Sequence, residues 1–222
     1  VRIAVVDSGA VVGHPHLPSV ASGACVVGET VTADYADRLG HGTAVAAAIH
    51  EKAPNAELIA VRVFCDQLTA DAATLAHAID WAADQGVRLI NLSLGTPNIE
   101  HEVVLAKAVA HAHQRGALVV AALEAEGREM YPGAFAHECI VPVVEDAGLA
   151  RDSIQTFWRG GRRVAAASPL PRPIPGVPPE RNISGTSFAV ANVTGTLALL
   201  LEDVRDAGRA VTRVWLDAHD CA

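Results

Sequence analysis

With 222 residues, half of them apolar but only 4% aromatic, the chain has the size of one domain, 1–222, and a core of Ala, Val, Leu and Ile. Its formal charge of −8 and its single basic cluster, Arg159 to Arg163, argue against a nucleic-acid partner. No apolar run reaches the roughly 20 residues of a membrane span and no secretory signal opens the sequence, so no membrane partner is expected. The first residues already read as a strand, and any leader or pro-segment is expected to have been removed or never present. Cys25, Cys65, Cys139 and Cys221 are scattered without paired metal-type spacing. That pattern favours reduced thiols in a cytoplasm over a disulfide framework.

In chain order, Arg2 to Asp7 is a continuous apolar run ending in a carboxylate, as a strand buried on both faces would be. Asp7-Ser8-Gly9 then lies where open α/β sheets place their ligands, although Asp before Ser-Gly is also a common turn opener. His14-Pro15-His16 reads as a loop and not as a metal site. Gly40-His41-Gly42-Thr43 precedes a small-residue helix from Ala44 to His50. A histidine framed by glycines is an odd choice for packing and a sensible one if the imidazole must face a cleft. Ala56 to Val63 is a strand, and Thr74 to Gln85 an amphipathic helix with Leu75, Ala78, Ile79 and Ala82 on one face, closed by Gly86. Val87 to Gly95 is strand and turn, His101 to Arg115 a helix closed by Gly116, and Ala117 to Ala122 another strand. The alternation predicts an α/β fold with a mostly parallel central sheet and helices on both faces. Pro169 to Pro179 is proline-rich and reads as a surface loop held extended.

Asn182 to Gly195 reads as a loop entering a helix, with Ser187 at or next to the helix N-terminus. Unpaired backbone N–H groups there favour negative charge. A serine in that place is either a cap or a nucleophile with donors ready for an oxyanion.

Taken together, Asp7-Ser8-Gly9, Gly40-His41-Gly42-Thr43 and Gly185-Thr186-Ser187 resemble, in order, the acid, base and nucleophile motifs of the subtilisin-like serine proteases, the subtilase family. The resemblance spans nearly the whole chain. It implies that Ser187 attacks a peptide carbonyl, that His41 carries its proton to the leaving amine and that Asp7 orients the imidazole. Asn91-Leu92-Ser93-Leu94-Gly95 looks like the family segment that lines the substrate groove, so an extended peptide is expected beside Ser93, Leu94 and Gly95. Tyr131-Pro132-Gly133 looks like the loop beside the specificity pocket, whose Tyr-Pro bond is often cis in relatives.

The sequence departs from the family at several places. Where relatives end a strand in Ala-Ala-Gly-Asn, with the asparagine donating to the oxyanion, this chain has Ala121-Ala122-Leu123-Glu124. Either Glu124 is buried, protonated and donates in the asparagine's stead, or it points to solvent and Ser187's backbone N–H serves alone. Leu123 and Met130 stand where relatives carry glycines. Either they fill the specificity pocket and restrict it to Gly or Ala, or the loop is shifted and both lie in the core. The helix after His41 has no room for the calcium loop common in relatives, so no metal of that kind and no cofactor is expected. Without the N-terminal segment of many relatives, the chain reads as a minimal catalytic core.

Three functions follow: a narrow-specificity endopeptidase that matures one peptide or protein, a degenerate relative that binds an extended peptide without cutting, and a Rossmann-type nucleotide enzyme. The last needs a glycine-rich turn whose spacing Asp7 to Gly13 lacks.

Overall fold

The computed structural model describes residues 1–203, so Cys221 lies outside the described residues. The chain opens with β1 (Arg2–Asp7), β2 (Ser22–Val27) and β3 (Thr30–Thr32), followed by α1 (His41–Lys52) and β4 (Glu57–Arg62). Next come α2 (Ala72–Asp84), β5 (Leu89–Leu92), α3 (Glu102–Gln114), β6 (Leu118–Ala122) and a two-stranded hairpin of β7 (Glu124–Ala125) and β8 (Arg128–Glu129). Finally β9 (Ile140–Glu145), β10 (Ile154–Arg159) and β11 (Arg162–Ala167) lead to α4 (Thr186–Asp203).

One nine-stranded sheet runs in the order β10-β11-β9-β6-β5-β1-β4-β2-β3. Its pairings are parallel except at the two edges, where β10 pairs antiparallel with β11 and β3 with β2. β1 sits at the centre, Val6 paired with Val61 on one side and with Leu92 on the other. Ile3, Ala4, Val5 and Val6 are buried because helices cover both faces. α1 packs on α4, and α2 packs on α3.

α2 starts at Ala72 because Asp71 caps it, accepting the Thr74 N–H at 2.7 Å. Its apolar stripe of Leu75, Ala78, Ile79 and Ala82 is buried against the sheet. Each of the larger two side chains stabilises the fold by about 1.5–3 kcal/mol through that burial. From β1 the chain passes to β4 on one side and later to β5 on the other. The C-terminal end of β1 is therefore a topological switch point, and Asp7 occupies it.

Candidate active site

Asp7 has no solvent exposure, and its Oδ1 accepts the Ser8 N–H at 2.7 Å and the Nδ1–H of His41 at 2.7 Å. Its Oδ2 has no hydrogen-bond partner among the described residues. A buried carboxylate oxygen left so is expensive, and the imidazole beside it is the group that profits. His41 is the first residue of α1 and its side chain is only 19% exposed.

Two glycines make this contact possible. A Cβ on Gly42 would collide with the Gly9 carbonyl, and one on Gly9, at φ 102°, with the Tyr35 carbonyl. The first turn of α1 thus docks backbone to backbone on the turn after β1. Burial of the ring works against its charge, but the hydrogen bond and negative charge of Asp7, with the charge of Asp37, outweigh it and hold the His41 pKa above its ordinary value.

Asp37 is a residue the sequence reading missed. Its Oδ1 accepts from Ser8 Oγ at 2.8 Å, Leu39 N at 2.9 Å and Gly40 N at 2.8 Å. Its Oδ2 accepts from Thr43 N at 2.9 Å and Thr43 Oγ1 at 2.5 Å. Ser8 Oγ in turn accepts the Gly42 N–H at 2.8 Å. One carboxylate therefore ties the acid's turn to the helix that begins with the histidine. Burial alone would raise its pKa, but the hydrogen bonds from Thr43, Gly40 and Leu39 bring it below the usual carboxylate range. The available signal was an aspartate two to six residues ahead of several free loop N–H groups, the pattern of an Asx turn.

Ser187 is the second residue of α4, where a backbone N–H has no partner within the helix. Its segment docks on both neighbours. The Phe188 ring lies tilted against the His41 ring, centroids 5.8 Å apart. Ser187 Oγ donates to the Ser93 carbonyl at 3.2 Å, and Ser93 Oγ donates to the Ser187 carbonyl at 3.4 Å. Among the described residues the Ser187 hydroxyl donates to the Ser93 carbonyl and not to His41. Behind Ser93, Asn91 Nδ2 donates to Ser93 Oγ at 2.9 Å, and Asn91 Oδ1 accepts from Thr194 Oγ1 of α4 at 2.9 Å.

Beyond Ser93, Leu94 and Gly95, the chain bridges to the other loop: Thr96 N–H donates to the Tyr131 carbonyl at 3.0 Å and Tyr131 N–H to the Thr96 carbonyl at 2.8 Å. The Tyr131–Pro132 bond is cis. Met130 is half-buried and stands beside Gly95, where an added Cβ would come within 3.3 Å of Met130 Cβ.

Leu123 corrects the expectation placed on it. Its side chain is buried with Val144, Val164 and Ala166 in a small separate core, the second of the two placements open to it and not the one in which it fills the specificity pocket. The reason is the tight hairpin that follows: Glu126 and Gly127 both have positive φ, 52° and 72°. That two-residue turn pairs Glu124 with Glu129 and fixes which way the loop's side chains alternate. Glu124 opens β7, two residues past the end of β6, its side chain 36% exposed and its Oε2 accepting from Arg159 Nη2 at 2.8 Å. Its neighbour across the hairpin is another carboxylate, and the β10 arginine supplies the counter-charge.

An α/β protein with a carboxylate–imidazole pair at the switch point of its sheet, and a serine at a facing helix start, is defined by these features as a class. The sequence pattern of the subtilase family matches residues 1–125. The chain is 34% identical over 211 residues to an alkaline protease of Alkalihalobacillus alcalophilus, covering 90% of this chain and 53% of that protein. It is 34% identical to subtilisin Savinase of Lederbergia lenta, covering 90% of this chain and 76% of the relative. Among solved structures, the nisin leader peptidase NisP from Lactococcus lactis superposes with a TM-score of 0.71 at 20% identity, covering 96% of this chain and 80% of that one. This chain belongs to the subtilase family. It spans about half the length of the alkaline protease it matches.

Proposed function

We propose that this chain is a serine endopeptidase in which Asp7, His41 and Ser187 do the chemistry. The observation that carries the reading is the 2.7 Å contact of His41 Nδ1 with a fully buried Asp7, on a ring packed against the neighbour of Ser187. With Nδ1–H held by the carboxylate, Nε2 is the free base. It takes the proton of Ser187 Oγ as the hydroxyl attacks a peptide carbonyl, then delivers it to the leaving amine. The backbone N–H of Ser187, at the start of α4, is the donor supported for the oxyanion.

An extended peptide lying along Ser93, Leu94 and Gly95 would add a strand there. Met130 crowding Gly95 supports a narrow choice of residue before the cut. A protein of the same fold described as a leader peptidase supports the maturation of one particular peptide or protein. Cys25, Cys65 and Cys139 as free thiols support a reducing, cytoplasmic setting, and no helix among the described residues is long and apolar enough to cross a membrane.

A fluorophosphonate probe tests the reading, because only an activated serine reacts. The expected outcome is labelling at Ser187 that disappears in His41→Ala. A second reading, binding without cleavage, draws on one observation. The strand end that would face the oxyanion carries Glu124, paired to Arg159, in place of a neutral donor. Peptide binding with no labelling of Ser187 would establish that reading instead.

A further inference from the structure

The proposed chemistry leaves two features unused, the His14-Pro15-His16 turn and the proline-rich stretch 169–179. They meet beside the site. Arg172 Nη1 donates to the His16 carbonyl at 3.0 Å, and Asn182 Nδ2 donates to the Arg172 carbonyl at 3.3 Å. Upstream, the Gly185 N–H donates to the Pro169 carbonyl at 3.0 Å. Asn192 of α4 donates from Nδ2 to the carbonyls of Ser168 at 2.9 Å and Leu170 at 3.1 Å. The proline-rich wall is thereby pinned to the helix that carries Ser187, and its prolines keep it extended.

Between this wall, the loop after β1 and the first turns of α1 lies a pocket of about 220 Å³. Its sides are Val11, Ala44, Ala47, Pro171, Ile174 and Ile183, and it reaches Gly40, next to His41. Ligand sites for whole small molecules run to roughly 300–1,000 Å³, so this one fits a single side chain.

We propose that this pocket selects an aliphatic side chain on the leaving-group side of the scissile bond. The inference rests on the peptidase reading above. No residue of Ser93 to Gly95 lines the pocket. A peptide hydrogen-bonded along that segment, with its carbonyl at Ser187, must continue past His41, which protonates the departing amine. The pocket is bounded by Gly40, next to His41, and by Ile183, four residues ahead of Ser187, which is why we assign it to that continuation.

The basic side chains at its rim do not make it an anion site. The Arg172 guanidinium is bonded to the His16 carbonyl and lies 4.0 Å from Glu51, which also pairs with Arg151. His16 has its pKa lowered, first by burial and then by Arg172 and His14, against the weaker opposite pull of Glu51. Burial and the neighbouring Arg172 thus disfavour a charge on His16, and the other polar residues of the lining, His14, Thr43 and Asn182, stand among six apolar side chains.

Cleavage of a peptide library, with both sides of each cut sequenced, tests the proposal together with fluorophosphonate labelling of Ser187. An extended chain turns every second side chain to the same wall. The pocket holds one such side chain, so Leu, Ile or Val should be preferred over Gly and Asp by about 10- to 100-fold at one position after the cut. Ile174 is 43% exposed and Ile183 51%, so Ile174→Glu and Ile183→Ser should fold normally. Each should flatten that preference and leave the labelling rate unchanged. Labelled enzyme that shows no aliphatic preference after the cut, keeps it unaltered in both variants, or cuts no library peptide overturns the pocket's role alone. Absence of both labelling and cleavage overturns the peptidase reading itself.

Discussion

The two halves of the site are built to different standards. Around His41, the proposed base, Asp7 is wholly buried, Asp37 accepts five hydrogen bonds, and two glycines let backbones touch. Where the substrate's oxygen would be received, the backbone N–H of Ser187 faces the short β7–β8 hairpin in the proposed reading. There a half-exposed Glu124 answers to a surface arginine. The contrast teaches that proton transfer and oxyanion stabilisation are separable. The first would rest on buried geometry that tolerates little change, and the second, beside the Ser187 N–H, on a hairpin whose Glu124 side chain is partly exposed.

The largest test of that contrast is on the buried side. Ser187→Ala or His41→Ala should lower kcat by about a millionfold, and Asp7→Asn by about 10⁴-fold through the wrong imidazole tautomer. Steady-state peptide hydrolysis measures both. A small loss in any of them would mean that the geometry is inherited and unused. On the receiving side the sign should reverse. Glu124→Asn removes a repelling charge and offers an amide, and since one oxyanion donor is worth on the order of 100- to 1000-fold, kcat should rise by about 10-fold or more. An unchanged rate would show that the carboxylate, held by Arg159, already stands clear of the reacting oxygen.

Thr194→Val probes the link behind the substrate strand. It leaves the buried Asn91 amide oxygen without its donor and should cost about 1–3 kcal/mol, a fall of roughly 2–4 °C in Tm per kcal/mol for a domain of this size.

The smallest expected effect is in pH. His41 is held above the ordinary histidine value of 6.5, so the neutral base accumulates only as pH rises through that raised pKa. Asp37→Asn withdraws one of the charges holding it there and should move the acid limb of kcat/KM to lower pH. For stability the signs oppose one another. The protonated His41–Asp7 pair contributes fully below the unfolded histidine's pKa and is lost as pH rises through the folded one. Asp37, whose pKa is depressed, contributes above its unfolded pKa and is lost as pH falls through the folded one. A circular-dichroism melt series across pH, wild type against Asp37→Asn, separates the two.

Local signals were enough for the central part of the fold. β1 occupies the residues its apolar run marked, and the stripe on α2 is the one its spacing marked, because burial on both faces and one-sided burial leave plain periodicities. β9 is harder to read, since Pro142 sits inside a strand paired on both sides, where a missing N–H argues against one. The edge strand β10 alternates only weakly and exposes Trp158 at 68%. In the site, the carboxylate, imidazole and hydroxyl are framed by glycines that the sequence displays. Asp37 is not, because its role consists of bonds to loop N–H groups whose positions depend on the fold. Leu123 shows the same limit from the other side: its destination is decided by a turn at Glu126-Gly127 and by the small core under β11.

α4 links more than one of these parts. Ser187 stands at its start, Asn192 fastens the proline-rich wall and Thr194 reaches Asn91 behind the substrate strand. Ser187, the proline-rich wall and the strand of Asn91 are thus referenced to a single rod, so a slip of that rod along its axis carries all three together. Alignment among them survives small motions of the whole, and no surface loop can restore it once the rod itself unwinds.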